Sequence, residues 1–223
     1  MIRNVRHMHR PAVVALAVAL VATGSALAAR GDPQKRITPA DQARAKAMLI
    51  RAADLPGYQV GPPQGESGDF YCAALDASDL TLTGEAASRQ FARAIVFVGS
   101  SSEVYESVRD ADAAWRRSTS PAGVRCATTL LGREFAKQGA RLLSLRKIAF
   151  PRIATRTVAF RLKLSATTPQ GEVPMTVDLV ALMQSRAHTS IVVGSALVPP
   201  TRAEELRIAG IVAKRMRAAM RGA

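Results

Sequence analysis

Histidine, cysteine and tryptophan are scarce in this chain: three, two and one among 223 residues. His7 and His9 sit near the N-terminus, so His188 stands alone in the body of the chain. One histidine and two cysteines fall short of a zinc-type ligand set, and no metal or cofactor site is expected. Aromatic residues make up only 4%. Leu, Val, Ile, Ala and Met must therefore fill most of the core. Stacking surfaces for bases are few, which disfavours nucleic acid as a partner. Gly61, Gly65 and Gly68 do not follow a strand, so a phosphate-cradling loop is excluded. The N-terminal region lacks an Arg-Arg pair and a cysteine, which excludes a twin-arginine signal and a bacterial lipoprotein. A Ser-His-Asp arrangement would need His188 beside an acid such as Asp178, and nothing in the spacing supports it. Asp76 and Asp79 could pair as carboxylates, but spacing does not define glycosidase geometry. No catalytic residue is assigned.

What is present begins with an export signal. Arg3, Arg6 and Arg10 form a positive start without acids, Ala12 to Ala22 is an uncharged apolar run, and Ala26 and Ala28 give an A-x-A cleavage pattern. The apolar run is about half the roughly 20 residues that cross a bilayer. Residues 1–28 read as a signal peptide, 29–37 as a linker and 38–223 as a single domain. An uncleaved N-terminal anchor is the alternative. After cleavage no stable transmembrane segment remains, and the address is secreted or cell-envelope by the general secretory route. In that compartment Cys72 and Cys126 are expected to pair. The bridge would close a long loop, worth about 4 kcal/mol on the chain-entropy account.

Charge is uneven. The formal net charge is +14, and +11 once Arg3, Arg6 and Arg10 leave with the signal. From Asp54 to Asp112 ten acids face three bases; from Ala113 to Lys163 twelve bases face one acid, Glu134. The basic block includes Arg133, Lys137, Arg141, Arg146, Lys147, Arg152, Arg156, Arg161 and Lys163. It reads either as a solvated face or as a patch for an anionic envelope component or protein partner. All of these except Arg152 are candidate anion-binding residues.

The pattern predicts α+β order. Thr38-Pro39-Ala40-Asp41 starts a helix that stops at Asp54-Leu55-Pro56-Gly57. Residues 57–84 read as loop, with one short strand around 70–74. Ile95 to Val98 reads as a buried strand. Ser100 and Glu103 read as a capping box, with Val104, Val108, Ala111 and Trp115 on one face of the helix it opens. Glu103, Glu106, Asp110 and Asp112 then fall on that helix's polar face, and Trp115 reads as a core anchor. Pro121 to Arg125 breaks the chain before a short helix that carries Leu131 and Phe135 inward and stops at Gly139. From Arg141 the period becomes 2, with strands at 141–150, 158–164, 175–183 and 189–198, and Arg186-Ala187-His188 as a tight turn. Thr201 and Glu204 open a closing helix whose inner face carries Leu206, Ala209, Val212, Met216 and Met220. The expected architecture is a four- to five-stranded, mostly antiparallel sheet burying one face under N-terminal, central and C-terminal helices.

The Asp54-Leu55-Pro56-Gly57-Tyr58 helix end, the spaced cysteines, Trp115, the run of strands and a last helix after Val198-Pro199-Pro200 resemble small exported α+β proteins of actinobacteria. These are the PknH-type extracellular sensor domains and the related Mog1/PsbP-like sandwiches. The resemblance covers most of residues 37–221 and rests on element order. It implies a binding or sensing module and assigns no catalytic residue. The sensor domains typically hold two disulfides, whereas this chain can form one. The same order fits a helix-grip ligand pocket. A non-enzymatic extracytoplasmic binding or sensor-like module is the leading expectation. A secreted hydrolase with an unrecognised acid/base pair is the alternative, and an envelope-docked structural protein is a third.

Overall fold

The computed structural model describes residues 31–63 and 71–222. Residues 1–28, read as a signal peptide, lie outside them. Thr38 accepts a hydrogen bond from the Asp41 amide and Pro39 fills the first turn, so α1 runs over Pro39–Met48 as the capping pattern requires. Beyond it come a one-turn 3-10 helix at Ala52–Asp54, β2 (Gln59–Pro63) and a second 3-10 turn at Ala73–Leu75, close to where the pattern suggested a strand. Within the stretch assigned to linker, Gln34–Lys35 forms β1 and pairs in parallel with β3 (Thr81–Ala87). A short β4 (Arg89–Arg93) follows, and then β5 (Val96–Tyr105).

The capping box at Ser100 and Glu103 is corrected. Both residues belong to β5, which pairs with β9 along Val96 to Val104. A ladder of that length satisfies the backbone more completely than one local side-chain cap. The hydroxyls do other work: the Ile50 amide donates to Ser100 Oγ at 3.0 Å, and Ser102 Oγ donates to the Ala45 carbonyl at 2.6 Å. Helix α2 (Val108–Thr119) starts instead at Ser107, which caps the Asp110 amide at 3.1 Å. Val108 is exposed, while Ala111 and Trp115 keep the buried face. Pro121 does not break the chain. It opens α3 (Pro121–Lys137) under a Ser120 cap, and Cys126 lies on that helix. Gly123 is required there, because a Cβ would sit 2.0 Å from the Arg117 carbonyl oxygen.

Strands β6 (Ala140–Ile148), β7 (Arg156–Thr168), β8 (Gly171–Gln184) and β9 (Ala187–Ala196) form an antiparallel run, and α4 (Arg202–Ala219) closes the chain. The turn before β9 lies at Ser185–Arg186, one residue earlier than the sequence suggests, with Ser185 at φ 53°. Sheet order is β1-β3-β5-β9-β8-β7-β6, with β4 on β5 and β2 on β4. The fold is α+β, but nine strands among the described residues replace the expected four to five, and all pairs except β1–β3 are antiparallel.

Helices cover both faces of this sheet, not one. On one side Met48 of α1 and Ile208, Val212 and Met216 of α4 pack on Val98, Val104, Val180, Leu182, Ile191 and Val193. On the other, Phe135 of α3 packs on Leu162, Leu164, Val177 and Val192. Trp115 and Ala111 of α2 pack nearby on Tyr105, Phe160 and Met183. Alternation explains the outcome: successive side chains of a strand point to opposite faces, so a strand apolar at both parities must be covered twice. In β8, Met175 and Val177 serve one layer and Val180 and Leu182 the other. No helix among the described residues is long and apolar enough to cross a membrane.

Candidate functional site

Register decides which polar groups meet. Glu103 pairs with His188 across β5 and β9, and Ser101 pairs with Ser190. Paired residues share a face, and that face lies under α2. Above it is a cavity of about 330 Å³, walled also by the segment before β1, by Tyr71 and by the 3-10 turn at Ala73–Leu75. The disulfide between Cys72 and Cys126 ties that turn to α3, so a covalent bond holds the rim against the helical layer. Arg117 of α2 donates two hydrogen bonds to the Asp79 carboxylate and one to the Asp76 carbonyl, which clamps the rim a second time.

Three titratable side chains meet at the base of the cavity. Tyr105 Oη donates to Glu103 Oε2 at 2.8 Å. The His188 ring lies 5.1 Å from the Tyr105 ring and 5.7 Å, edge-on, from Trp115. Burial pushes the Glu103 carboxyl above its ordinary range, against the pull of the Tyr105 hydroxyl. Burial, reinforced by the Glu103 charge, holds the Tyr105 phenol well above 10. Burial takes His188 down to about 4, although a hydrogen bond with the Ala111 backbone pulls the other way. The imidazole is therefore neutral at pH 7. Its Nε2 is shielded from solvent and has no hydrogen-bond partner among the described residues. Groups of this kind carry a desolvation cost of about 1–3 kcal/mol each.

A second cavity of about 140 Å³ lies between α3 and the sheet. Leu131, Phe135, Leu145, Phe160 and Leu162 line it, and Ser118 is its one polar side chain. Its lining is otherwise wholly apolar.

His188 and Asp178 lie on opposite faces of the sheet. Asp178 pairs with Val193, which packs under α1 and α4, whereas His188 pairs with Met183, which packs under α2. A triad through those two residues is ruled out. Asp178 instead receives a bidentate pair from Arg161, at 2.7 and 2.5 Å, and contacts the carboxyl of Glu205 on α4. Asp178 and Glu205 are almost wholly buried, and among the described residues Glu205 Oε1 has no hydrogen-bond partner, with Arg161 3.8 Å away. Burial and the neighbouring Asp178 push Glu205 up to about 7. Asp76 lines the cavity, and Asp79 lies beyond the lining, joined to it through Arg117.

The basic block is divided by the fold. Arg141, Arg146, Arg161 and Lys163 share the α4 face of β6 and β7, since Arg146 pairs with Arg161 and Ser144 with Lys163. Lys147 pairs with Phe160 and so points to the other face. Arg156 is held by Asp112 of α2 at 3.0 Å. Arg133 and Lys137 lie on α3, on the opposite side of the sheet from the Arg141 group, and Lys137 bonds Glu134 at 2.6 Å.

Glu103 and Tyr105 are the site residues that sequence reasoning missed, because both sat next to a false helix start. The alternation of Phe97, Gly99, Ser101, Glu103 and Tyr105 on one parity could have found them. No group of three metal-ligating side chains is clustered among the described residues.

No protein-family model matches the sequence, and no curated protein matches it. A solved structure of the extracellular domain of PknH from Mycobacterium tuberculosis aligns over 81% of this chain and 96% of its own, at 7% identity and a TM-score of 0.44. That is a weak structural resemblance only.

Proposed function

We propose that this chain is an exported, non-enzymatic binding module that takes a small ligand in the cavity above Glu103, Tyr105 and His188. The observation that carries the reading is the buried, unpartnered Nε2 of His188 in a polar wall, beside a carboxyl that a single hydroxyl hydrogen bond supports. Buried polar groups are normally satisfied, and a ligand is one means of satisfying them. The sequence-level signal and the rim disulfide support the exported address. Hydrolysis is the weaker alternative. Ser101, Ser190, Glu103 and His188 do share the cavity wall. A general base should titrate near working pH, however, and His188 does not, nor does its Nε2 bond a serine. The test is ligand-observed NMR with small polar compounds on the wild type and on Ser190→Trp, which fills the cavity. Binding that survives the filled cavity would remove the reading.

A second reading concerns an anionic partner. Arg141, Arg146 and Lys163 are exposed together on one face of the outer strands, and among the described residues neither Arg146 nor Lys163 forms an ion pair. Their replacement by Ser should abolish any salt-sensitive retention on envelope fractions. Retention unchanged by the triple substitution would eliminate this patch as the cause.

A further inference from the structure

The chemistry of the cavity wall narrows the ligand class, on the footing that the cavity is a binding site. Acidic side chains dominate. Asp32, Asp76 and Glu103 line it, and Glu85 is close enough to act on Glu103. Three cations stand near among the described residues, and each is already held: Arg117 by Asp79, Lys35 by Glu85 at 2.7 Å, and Arg156, which acts on His188, by Asp112 at 3.0 Å. His188 adds no positive charge at neutral pH. Acidic side chains thus outnumber basic ones in the lining, and low-dielectric walls strengthen the pull of an ionised Glu103 on a cation.

The walls themselves are aromatic. Tyr71, Tyr105 and Trp115 line the cavity, and ring faces attract cations within about 6 Å. The groups left to meet a ligand are mostly acceptors. Glu103 is acceptor-only once ionised, and a neutral imidazole presents one lone pair. Ser101 and Ser190 add hydroxyls from the paired strands. A ligand that fits must bring donors and positive charge together. The carboxylates are spread along the wall and form no cluster of three metal ligands among the described residues. That favours an organic cation over a hard divalent ion, which needs several oxygens at one point.

We infer that the cavity binds a small molecule through a primary ammonium group, with Glu103 as its ionic and hydrogen-bonding partner and Trp115 and Tyr105 as its aromatic walls. A primary ammonium has three donors for Glu103 and the serine hydroxyls, whereas a quaternary ammonium has none. An anion would meet the Glu103 carboxyl, which receives a hydrogen bond from the Tyr105 hydroxyl and none from a cation among the described residues.

Trp115 is the only tryptophan in the chain, so its fluorescence reports on the cavity directly. Hexylammonium, hexyltrimethylammonium, hexanol and hexanoate form a charge series on one alkyl body. On the purified wild-type protein at neutral pH, hexylammonium should change Trp115 emission saturably, with millimolar affinity, as suits so few atoms. Hexanol and hexyltrimethylammonium should bind at least tenfold more weakly, and hexanoate should not bind. Glu103→Gln should weaken hexylammonium at least tenfold and leave hexanol unchanged. Tyr105→Phe, which keeps the ring and frees the carboxylate, should retain binding. If hexanol, hexyltrimethylammonium or hexanoate matches hexylammonium, or if Glu103→Gln binds it as well as the wild type, the ammonium assignment falls while the cavity remains a binding site. If none of the four produces a saturable change, both fall together.

Discussion

Two buried groups titrate in opposite senses over the same pH range, and replacing one should expose the other. Glu205 rises from 4.5 to about 7 on folding, because burial and Asp178 disfavour its charge. A raised carboxyl stabilises the fold below its unfolded value, and that stability is lost as pH climbs through the folded value. His188 falls from 6.5 to about 4, because burial disfavours the imidazolium. A depressed imidazole destabilises at acid pH, so stability rises as pH climbs from about 4 to 6.5. A tenfold change in proton affinity between the folded and unfolded chain is worth about 1.4 kcal/mol, so each group spans about 3 kcal/mol in all. Between pH 4.5 and 6.5 the two slopes largely cancel in the wild type. The raised Glu103 carboxyl adds to the Glu205 side, leaving at most a shallow decline toward neutrality. Glu205→Gln keeps the shape, removes one proton-binding group and lets an amide face Asp178. Its stability should rise by about 2 kcal/mol from pH 4.5 to 6.5, since only His188 then sets the main slope. Urea unfolding at half-unit pH steps, followed by Trp115 emission, measures this directly. A Glu205→Gln profile as flat as the wild type, or one that falls with pH, would refute the assignment of opposed titrations.

Other consequences concern the fold that holds the cavity. Arg186 donates to both Asp41 oxygens at 2.9 and 2.8 Å and to the Tyr105 carbonyl at 2.6 Å, and it holds the Asp41 carboxyl far below its ordinary range. Arg186→Met should cost about 3–5 kcal/mol at pH 7 in urea unfolding, as breaking a buried pair does. The loss should shrink as pH falls through the carboxylate range, where Asp41, left with Arg44 at 2.6 Å, takes up a proton; a pH-independent loss would mean packing alone. Replacing both Cys72 and Cys126 by Ala removes a closure of 54 residues and should cost up to about 4 kcal/mol. The same pair of substitutions should weaken ligand-induced change at Trp115 by freeing the rim, and unchanged binding would show that the bridge serves stability only.

Legibility followed local signal strength. Strands β7, β8 and β9 were readable because Leu162, Leu164, Met175, Val177 and Val192 are large, apolar and regularly spaced. Helices α1 and α4 were readable because Thr38 and Thr201 cap them in sequence and in space. Strands β1 to β4 were not. Gln34–Lys35 has no apolar residue at all, and Thr81–Ala87 has one large one, Leu82. Their strand character comes from neighbours, chiefly the pairing of β3 with β5 and the close seating of α1 over Gly84. At Gly84 a Cβ would sit 2.4 Å from the Asp41 carbonyl oxygen. No local pattern announces such an approach, and this is where tertiary context overrides propensity.

The cavity was illegible for the same physical reason that it is chemically useful. Glu103 reads as a solvated helix residue because acids seldom enter cores without a partner. It is buried because β5 is held along its length by β9 and on its other edge by β3 and β4, and its parity faces α2. The fold thus places a carboxyl, a phenol and an imidazole where water is scarce, and supplies one strong bond among them, from Tyr105 to Glu103. A core selected for stability alone would have apolar residues at these positions, since replacing buried polar clusters by well-packed apolar ones is often neutral or stabilising. At Asp178 and Glu205 the cost is offset by Arg161 and Arg202. At Glu103 and His188 no cation is supplied from within the described residues at hydrogen-bond distance. The contrast between the two buried clusters, one neutralised internally and one left open to a cavity, is the physical ground for expecting the missing cation to come from outside the chain.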